Sequence, residues 1–370
     1  MKPLQAAVGR GAIAGAVVLV ADAEGNRWTQ AVGMADVADD LPMTTDALFW
    51  AASALSKPLT ATAAMLLVDE GRLDLDSPLV RYLPELCDQV GSITTRQCLS
   101  HTSGLPFASE LELTQPDGGQ ERFAGTGFAG YYETGDDSVY DGLSLRDAAM
   151  SYAETSLLSA PGTCYLYSNA GFNLVGRLIE VLSGEPYASF VDSRLLQPLG
   201  LRDTTLWPSE SQLARLAKSY ASASADGLGR TPLREVPFPQ LTAPYSSRAR
   251  RASPSGGYFS TARDCARFGR MVLRGGELDG QRHLSAAAIA EMTTDQTGGQ
   301  FNYGLGWRLR PADRDDEASG GFGHSGAMGA GLYLHPPTSR LTVLMVHQDG
   351  GCDYDDWWFK QRHELLRAQF

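Results

Sequence analysis

Residues 49–71 read FWAASALSKPLTATAAMLLVDEG, and this stretch decides how the chain is organised. The run from Ser56 to Gly71 is apolar and rich in helix-forming residues, and Gly71 is a suitable C-terminal stop. Pro58 lacks a backbone N–H, so it must lie near the beginning of the helix. The helix is therefore expected to begin at residues 54–56. Residue 54 then lies at a helix N-terminus, where the helix dipole favours developing negative charge.

The flanking segments predict strands at both ends of the chain and helices between them. Residues 14–36 read as a hairpin around the turn AEGN, and residues 329–349 as two strands around PPTSR. An amphipathic helix is predicted over 170–184 and a terminal helix over 353–370. This order predicts an α+β fold, in which one central antiparallel sheet is built from both termini and flanked by helices, with a mostly helical lobe inserted.

The predicted division of the chain gives residues 1–71 and 251–370 to an α/β lobe with the antiparallel sheet, and 72–250 to the inserted helical lobe. Within the helical lobe, 107–143 is rich in glycine and acidic residues and shows little periodicity. Because a loop of that length is usually functional or mobile, we predict that it is a lid.

Composition excludes some classes of protein. The formal net charge of −12 argues against nucleic acid as the main partner. No apolar run approaches the ~20 residues that span a membrane, and the turn sequence DAEGNRW after the apolar run at 11–21 favours a hairpin over a signal peptide. A basic cluster, SSRARR at 246–251, is typical of a solvated loop, with contact to an anionic substrate or partner as the alternative.

The cysteines are five in number, scattered, and without CxxC or Cys/His spacing. This pattern predicts neither a disulfide framework nor a zinc site. Reduced thiols fit a cytoplasmic protein better than a secreted one.

Three short segments could carry chemistry: ALSK at 54–57, YSN at 167–169 and GHSGA at 323–327. Each is a weak signal alone, but their order and surroundings are informative. Together with five longer stretches, one of which contains YSN, they make the chain resemble the serine β-lactamase and penicillin-binding-protein superfamily, and it is most similar to its class C β-lactamase-like esterases and acyl-transferases. Those stretches are LSHTSGLP at 99–106, PGTCYLYSNAGFNLVG at 161–176, LLQPLGLRDT at 195–204, SPSGGYFSTARDCARFGRMVLRGGELDG at 253–280 and YGLGW at 303–307.

The resemblance implies roles for four polar side chains. An S-x-x-K motif pairs a serine nucleophile with a lysine one helical turn later, here Lys57. Its ammonium can orient the hydroxyl, or its neutral amine can take the proton. Tyr167 is the implied base, which needs nearby cations such as Lys57 and a protonated His324 to favour the phenolate. Asn169 is implied to hold the substrate by hydrogen bonds.

The third segment is implied to line the substrate through Ser325, Gly326 and Ala327. His-Ser-Gly stands where most β-lactamases have Lys-Thr-Gly, so His324 takes the place of a lysine. The backbone N–H groups of Ala327 and residue 54 would form the oxyanion hole.

The nucleophile position is where this chain departs from the family. Counting back from Lys57, that position is Ala54. Family members usually carry an aromatic residue four before the serine. Counting forward from Phe49 gives Ser53, whereas counting from Trp50 gives Ala54. The lysine count is preferred, because helix geometry fixes the spacing of the pair.

On that count, Ser53 lies ~100° around the helix from the nucleophile's direction. Ser56 matches the Ser/Thr that usually precedes the lysine, so it is not a spare nucleophile. Three interpretations of Ala54 stay open. In the first, which we prefer because the rest of the site is intact, Ala54 is an engineered Ser→Ala change that makes this form inactive. In the second, Ala54 is a natural loss of the serine that leaves a ligand-binding protein. In the third, a local insertion makes Ser53 the nucleophile.

The implied activity is acyl transfer from a small ester or amide through an acyl-enzyme, without a metal or organic cofactor. Carboxylesterase or transacylase leads. The alternatives are a β-lactamase or D-amino-acid peptidase or amidase, and a catalytically dead binding protein. The expected absence of a signal peptide argues against the cell-wall-linked activities, and His324 weakens recognition of a substrate carboxylate, because histidine is mostly neutral at pH 7. Neither nucleic acid nor a membrane is expected as partner.

Overall fold

The computed structural model describes residues 2–86, 88–107, 144–153, 155–221, 233–238, 241, 244–310 and 319–349. Apart from Phe107, the predicted lid lies outside these residues, as does the predicted terminal helix at 353–370. Both stay predictions, and so does the division into two lobes.

The strands run from the N-terminal hairpin to a C-terminal group of five, β10 to β14. They are β1 (Gly15–Asp22), β2 (Asn26–Asp36), β3 (Leu41–Pro42), β4 (Phe49–Trp50), β5 (Tyr220–Ala221), β6 (Arg234–Glu235), β7 (Phe259–Ser260), β8 (Glu277–Leu278), β9 (Gln281–Arg282), β10 (Arg308–Leu309), β11 (Phe322–Ser325), β12 (Gly331–His335), β13 (Arg340–Val346) and β14 (Gln348–Asp349).

The helices lie mostly between those two groups of strands. They are α1 (Lys2–Gly9), α2 (Ser53–Asp69), α3 (Asp88–Gly91), α4 (Thr95–Leu99), α5 (Leu145–Ala153), α6 (Asn169–Ser183), α7 (Tyr187–Val191), α8 (Gln197–Leu199), α9 (Glu210–Leu213), α10 (Ala262–Leu273) and α11 (Ala286–Met292). A π-helical turn (Asp192–Leu196) joins α7 to α8, and 3₁₀ turns cover Leu79–Arg81 and Pro336–Thr338.

One antiparallel sheet of seven strands organises the described chain, in the order β10-β11-β12-β13-β1-β2-β3. Strands β1 and β13 are neighbours, with Leu19 opposite Val343. The sheet is therefore built from both ends of the chain, which confirms the α+β prediction with a central antiparallel sheet. Both the N-terminal hairpin and the β12–β13 pair form where the sequence predicts them.

Successive side chains of β1 point to opposite faces of the sheet and so contribute to two separate hydrophobic cores. Val17 and Leu19 face the main core, where α10 packs against β1, β12 and β13. Ala16 and Val18 face a smaller core that α1 covers from the other side. Because both faces of the sheet are covered, β1 is a nearly continuous apolar run, as expected for a strand buried on both sides.

Helix α2 lies within the main core. It contacts β11 and β12 of the sheet, and also α6 and α7 of the helical region. It is buried from Ala54 to Leu67, and such a helix is apolar all round rather than amphipathic. It begins at Ser53, slightly earlier than the predicted 54–56. Among the residues described here, no helix combines the length and apolarity that crossing a bilayer requires.

Candidate active site

The start of α2 follows a strained residue. Ala52 has φ 46° and ψ −136°, a conformation that residues with a Cβ rarely adopt. Ser53 is the first helical residue. The N–H of Ala54, which was expected to face an oxyanion, donates to Ala51 O at 3.0 Å. The Ala54 methyl packs into the main hydrophobic core.

Lys57 is unusual for a charge-bearing residue, because its side chain is fully buried. Its Nζ donates to Asn169 Oδ1 at 2.8 Å and to Ser255 O at 3.0 Å, and lies 4.6 Å from the Tyr167 ring centroid. Burial lowers the pKa of Lys57 well below its usual value, and the charge of Arg308 lowers it further. Burial therefore favours the neutral amine, which can accept a proton.

Ser56 is excluded as a nucleophile by its surroundings. Its side chain is fully buried, and its hydroxyl accepts the backbone N–H of Tyr258 at 3.1 Å. The hydroxyl therefore ties α2 to the segment that precedes β7.

The YSN segment is held at the N-terminus of α6. The Ser168 side chain caps this helix by accepting the N–H of Gly171. Its hydroxyl donates to Pro106 O at 2.7 Å, and Asn169 N donates to Phe107 O at 2.9 Å. The segment after α4 therefore fixes the backbone that carries the predicted site residues Tyr167 and Asn169.

His324 lies on β11 and joins this cluster, with its ring centroid 6.4 Å from that of Tyr167. A carbonyl can only accept, so Nδ1 donates to Ser325 O at 2.8 Å, and Nε2 accepts from the Tyr303 hydroxyl at 2.9 Å. Burial lowers the pKa of His324 well below its usual value, and Lys57 and Arg308 add to the effect. Burial therefore favours the neutral ring, which argues against the expectation that a protonated His324 helps to ionise Tyr167.

Gly326 lets the end of β11 approach the start of α2. A Cβ at this position would lie 2.8 Å from Ala51 O and 3.1 Å from the Ala52 Cβ. The next residue, Ala327, is half-buried, and none of the described residues accepts a hydrogen bond from its N–H. The structure thus brings Ala327 and the start of α2 to the same place, as the sequence predicts.

Three members of the cluster were not predicted from the sequence motifs. Tyr303 is fully buried and donates to His324, Ser255 accepts from Lys57, and the His101 ring lies 4.2 Å from that of Tyr167. All three lie in stretches that carry the family resemblance, LSHTSGLP, SPSGG and YGLGW. Their presence in those stretches was a signal, but it did not say which side-chain or backbone groups face Lys57 and Tyr167.

The basic cluster at 246–251 is not simply a solvated loop. Arg250 and Arg251 are buried. Arg250 Nη2 donates to Leu206 O and Tyr245 O, so this guanidinium joins two backbone segments. Within the described ranges, no group of His, Cys, Asp and Glu side chains could hold a metal ion.

Comparisons with known proteins agree with this geometry. The Beta-lactamase family matches residues 3–365. Esterase EstB from Burkholderia gladioli is 32% identical, over 62% of this chain and 55% of its own length. The solved structure of EstCE1, a hydrolase with promiscuous acyltransferase activity, has a TM-score of 0.75 at 24% identity, over 95% of this chain and 93% of its own. The D-amino acid amidase from Ochrobactrum anthropi SV3, complexed with L-phenylalanine amide, has a TM-score of 0.70 at 25% identity, over 99% and 95%.

Proposed function

The chain belongs to the Beta-lactamase family, whose fold carries hydrolases, and from that premise we propose that it transfers the acyl group of a small, uncharged ester to water or to an alcohol. The observation that carries the proposal is the environment of Lys57. A fully buried amine, one helical turn after the start of α2, is hydrogen-bonded to Asn169 and lies against Tyr167. A buried group with a strongly lowered pKa, beside other polar side chains, is typical of a catalytic site.

We propose Ser53 as the nucleophile of the chain as it stands. It follows the strained Ala52, and backbone strain clusters at functional sites. It is the first residue of α2 and precedes Lys57 by four residues, so the two share a helix face. The rival assignment, in which Ala54 occupies the nucleophile position, keeps the family spacing of three. Two observations argue against the Ala54 assignment. The Ala54 methyl group is packed in the core, and the Ala54 N–H is already hydrogen-bonded to Ala51 O.

The proposed reaction proceeds through an acyl-enzyme. The neutral amine of Lys57 takes the proton of the Ser53 hydroxyl as its oxygen bonds to the ester carbonyl carbon. The N–H groups of Ala327 and Ser53 stabilise the oxyanion at the start of α2. When the C–O bond of the ester breaks, Tyr167 gives its proton to the leaving alcohol, and the Lys57 ammonium restores the phenol. Water or another alcohol then repeats the steps in reverse.

The neutral state of His324 supports an uncharged substrate. Both ring nitrogens are bonded within the protein, to Ser325 O and the Tyr303 hydroxyl, so the ring offers no cation to a substrate carboxylate. A β-lactam or a peptide C-terminus carries such a carboxylate. The relative Esterase EstB supports an ester as the substrate. The D-amino acid amidase makes an amide the second candidate substrate, since an amino acid amide also lacks the carboxylate.

Two substitutions and one label test the proposal. The wild-type chain is expected to hydrolyse p-nitrophenyl acetate faster than a chromogenic cephalosporin or D-phenylalanine amide. Ser53→Ala is expected to remove this activity, since loss of a nucleophile can cost on the order of 10⁶ in rate. Peptide mapping after treatment with a fluorophosphonate should place the adduct on Ser53. An inactive wild type that gains activity in Ala54→Ser would support the Ala54 assignment. Inactivity of both would favour a binding protein.

We also propose a cytoplasmic location. Cys98, Cys164 and Cys265 are free thiols in the described part of the chain, and free thiols are typical of a reducing compartment.

A further inference from the structure

His101 contacts the Tyr167 segment at three points. Its carbonyl accepts the N–H of Leu166 at 2.7 Å, and its ring Nδ1 accepts the N–H of Ser168 at 3.0 Å. Its ring lies against Tyr167, with a centroid distance of 4.2 Å and a tilt of 34°. The backbone amides on both sides of Tyr167, and one side of its ring, are therefore fixed by a single residue.

The conformation of His101 is costly on its own. The residue has φ 60°, a left-handed value that few non-glycine residues adopt. The ring is fully buried. Because a backbone N–H can only donate, Nδ1 is the acceptor, and the neutral ring carries its proton on Nε2. No described residue accepts a hydrogen bond from this buried Nε2–H. Simple core filling would need neither the left-handed backbone nor a polar ring.

The surroundings of His101 keep the ring neutral and in place. Phe172, Tyr303 and Tyr165 pack around it at centroid distances of 5.2, 4.8 and 5.6 Å. Burial lowers the pKa of His101 well below its usual value, and the positive charge of Arg308 acts in the same direction. The acceptor Nδ1 is therefore retained near neutral pH.

We infer that His101 is a positioning residue that sets the place of the Tyr167 phenol relative to Lys57. This inference rests on the proposed function, in which Tyr167 moves the proton. The centroid of the His101 ring lies 4.2 Å from that of Tyr167, and His101 acts through this tyrosine. A general acid that is displaced by about 1 Å can cost about 10²-fold in rate, so fixing the segment at both sides has a direct kinetic consequence.

The test compares His101→Asn with His101→Leu, two side chains of similar size. Asn can present a carbonyl oxygen where Nδ1 lies and tolerates the left-handed backbone, whereas Leu offers no acceptor. We expect His101→Leu to lower kcat for p-nitrophenyl acetate by about 10- to 100-fold with KM within about twofold, and His101→Asn to recover most of that loss. Urea unfolding of both variants separates a loss of folded protein from a loss of rate.

A second measurement does not depend on turnover. In protein labelled with ¹³Cζ-tyrosine, the Tyr167 resonance is assigned by its loss in Tyr167→Phe. It is expected to move in His101→Leu and to return towards the wild-type position in His101→Asn. An unmoved resonance in folded His101→Leu, or equal kcat in both variants, overturns the inference. If the resonance moves but the wild type turns over no acyl donor, the proposed function fails and the positioning role stands.

Discussion

Replacing Gly326 by alanine tests whether the end of β11 must approach the start of α2 for catalysis. The added Cβ would lie 2.8 Å from Ala51 O and 3.1 Å from the Ala52 Cβ. A relaxed carbon–oxygen contact is about 3.3 Å, so the two backbones must separate by about 0.5 Å. The contact is with backbone atoms and with the already strained Ala52, so no flexible side chain can relieve it.

The separation should affect rate more than affinity. The proposed oxyanion donor, Ala327 N–H, directly follows Gly326 and moves with it. Loss of one such donor costs about 10²–10³ in kcat, and a displaced donor should cost part of that, about 10- to 100-fold. The free energy of unfolding should fall by about 1–3 kcal/mol, as for other overpacked sites.

The assay is steady-state hydrolysis of p-nitrophenyl acetate, with urea unfolding measured beside it. Gly25→Ala is the matched control, because a Cβ at Gly25 meets nothing within 4 Å and the residue lies in the hairpin turn between β1 and β2. The control should keep both kcat and stability. If Gly326→Ala keeps kcat within about twofold of wild type, the oxyanion site does not lie at this approach.

Three further changes have expected outcomes. Tyr167→Phe should cut kcat by about 10²–10⁴ and leave KM nearly unchanged, whereas Asn169→Ala should mainly raise KM; steady-state kinetics separates the two. Tyr303→Phe leaves His324 Nε2 without its donor, so urea unfolding should show a loss of about 1–3 kcal/mol. Burial lowers the pKa of His347 to about 4. Because an unfolded histidine binds its proton near pH 6.5, stability is lost as the pH falls from about 6.5 towards 4. Between pH 7 and 5, wild type should therefore lose about 2 kcal/mol more than His347→Gln in urea unfolding.

Much of the fold could be predicted because its signals are local. The hairpin at β1 and β2 has a turn sequence between two strand-forming runs. Helix α6 has an apolar stripe and ends at Gly184, which adopts the left-handed conformation expected of a C-terminal cap. Strands at both ends of the chain then predicted a single sheet built from both termini, and in the structure β1 and β13 are neighbours in it.

The site was less predictable because its remaining members arrive through tertiary packing. Lys57, Tyr167, Asn169 and His324 stand in short motifs, and the structure brings them together. The protonation of His324 could not be deduced from its motif, because it depends on burial and on the Tyr303 hydroxyl. Both are properties of the folded core, and the spacing of residues along the chain does not predict them.

The nucleophile assignment depends on a difference of one residue between two ways of counting, one from the aromatic residues of β4 and one from Lys57. Upstream, β4 is fixed by its pairing with β7, with Trp50 opposite Phe259. Downstream, α2 is fixed by the buried Lys57. Counting from these two anchors gives answers that differ by one residue, and a sequence cannot say where the difference is absorbed. The positive φ of Ala52 indicates that it is absorbed directly before Ser53. Residue propensities do not predict such a strained site, since an alanine at position 52 does not indicate a backbone with positive φ. The same strain that made the count ambiguous is thus the observation that favours Ser53, because unfavourable backbone is retained where function requires it.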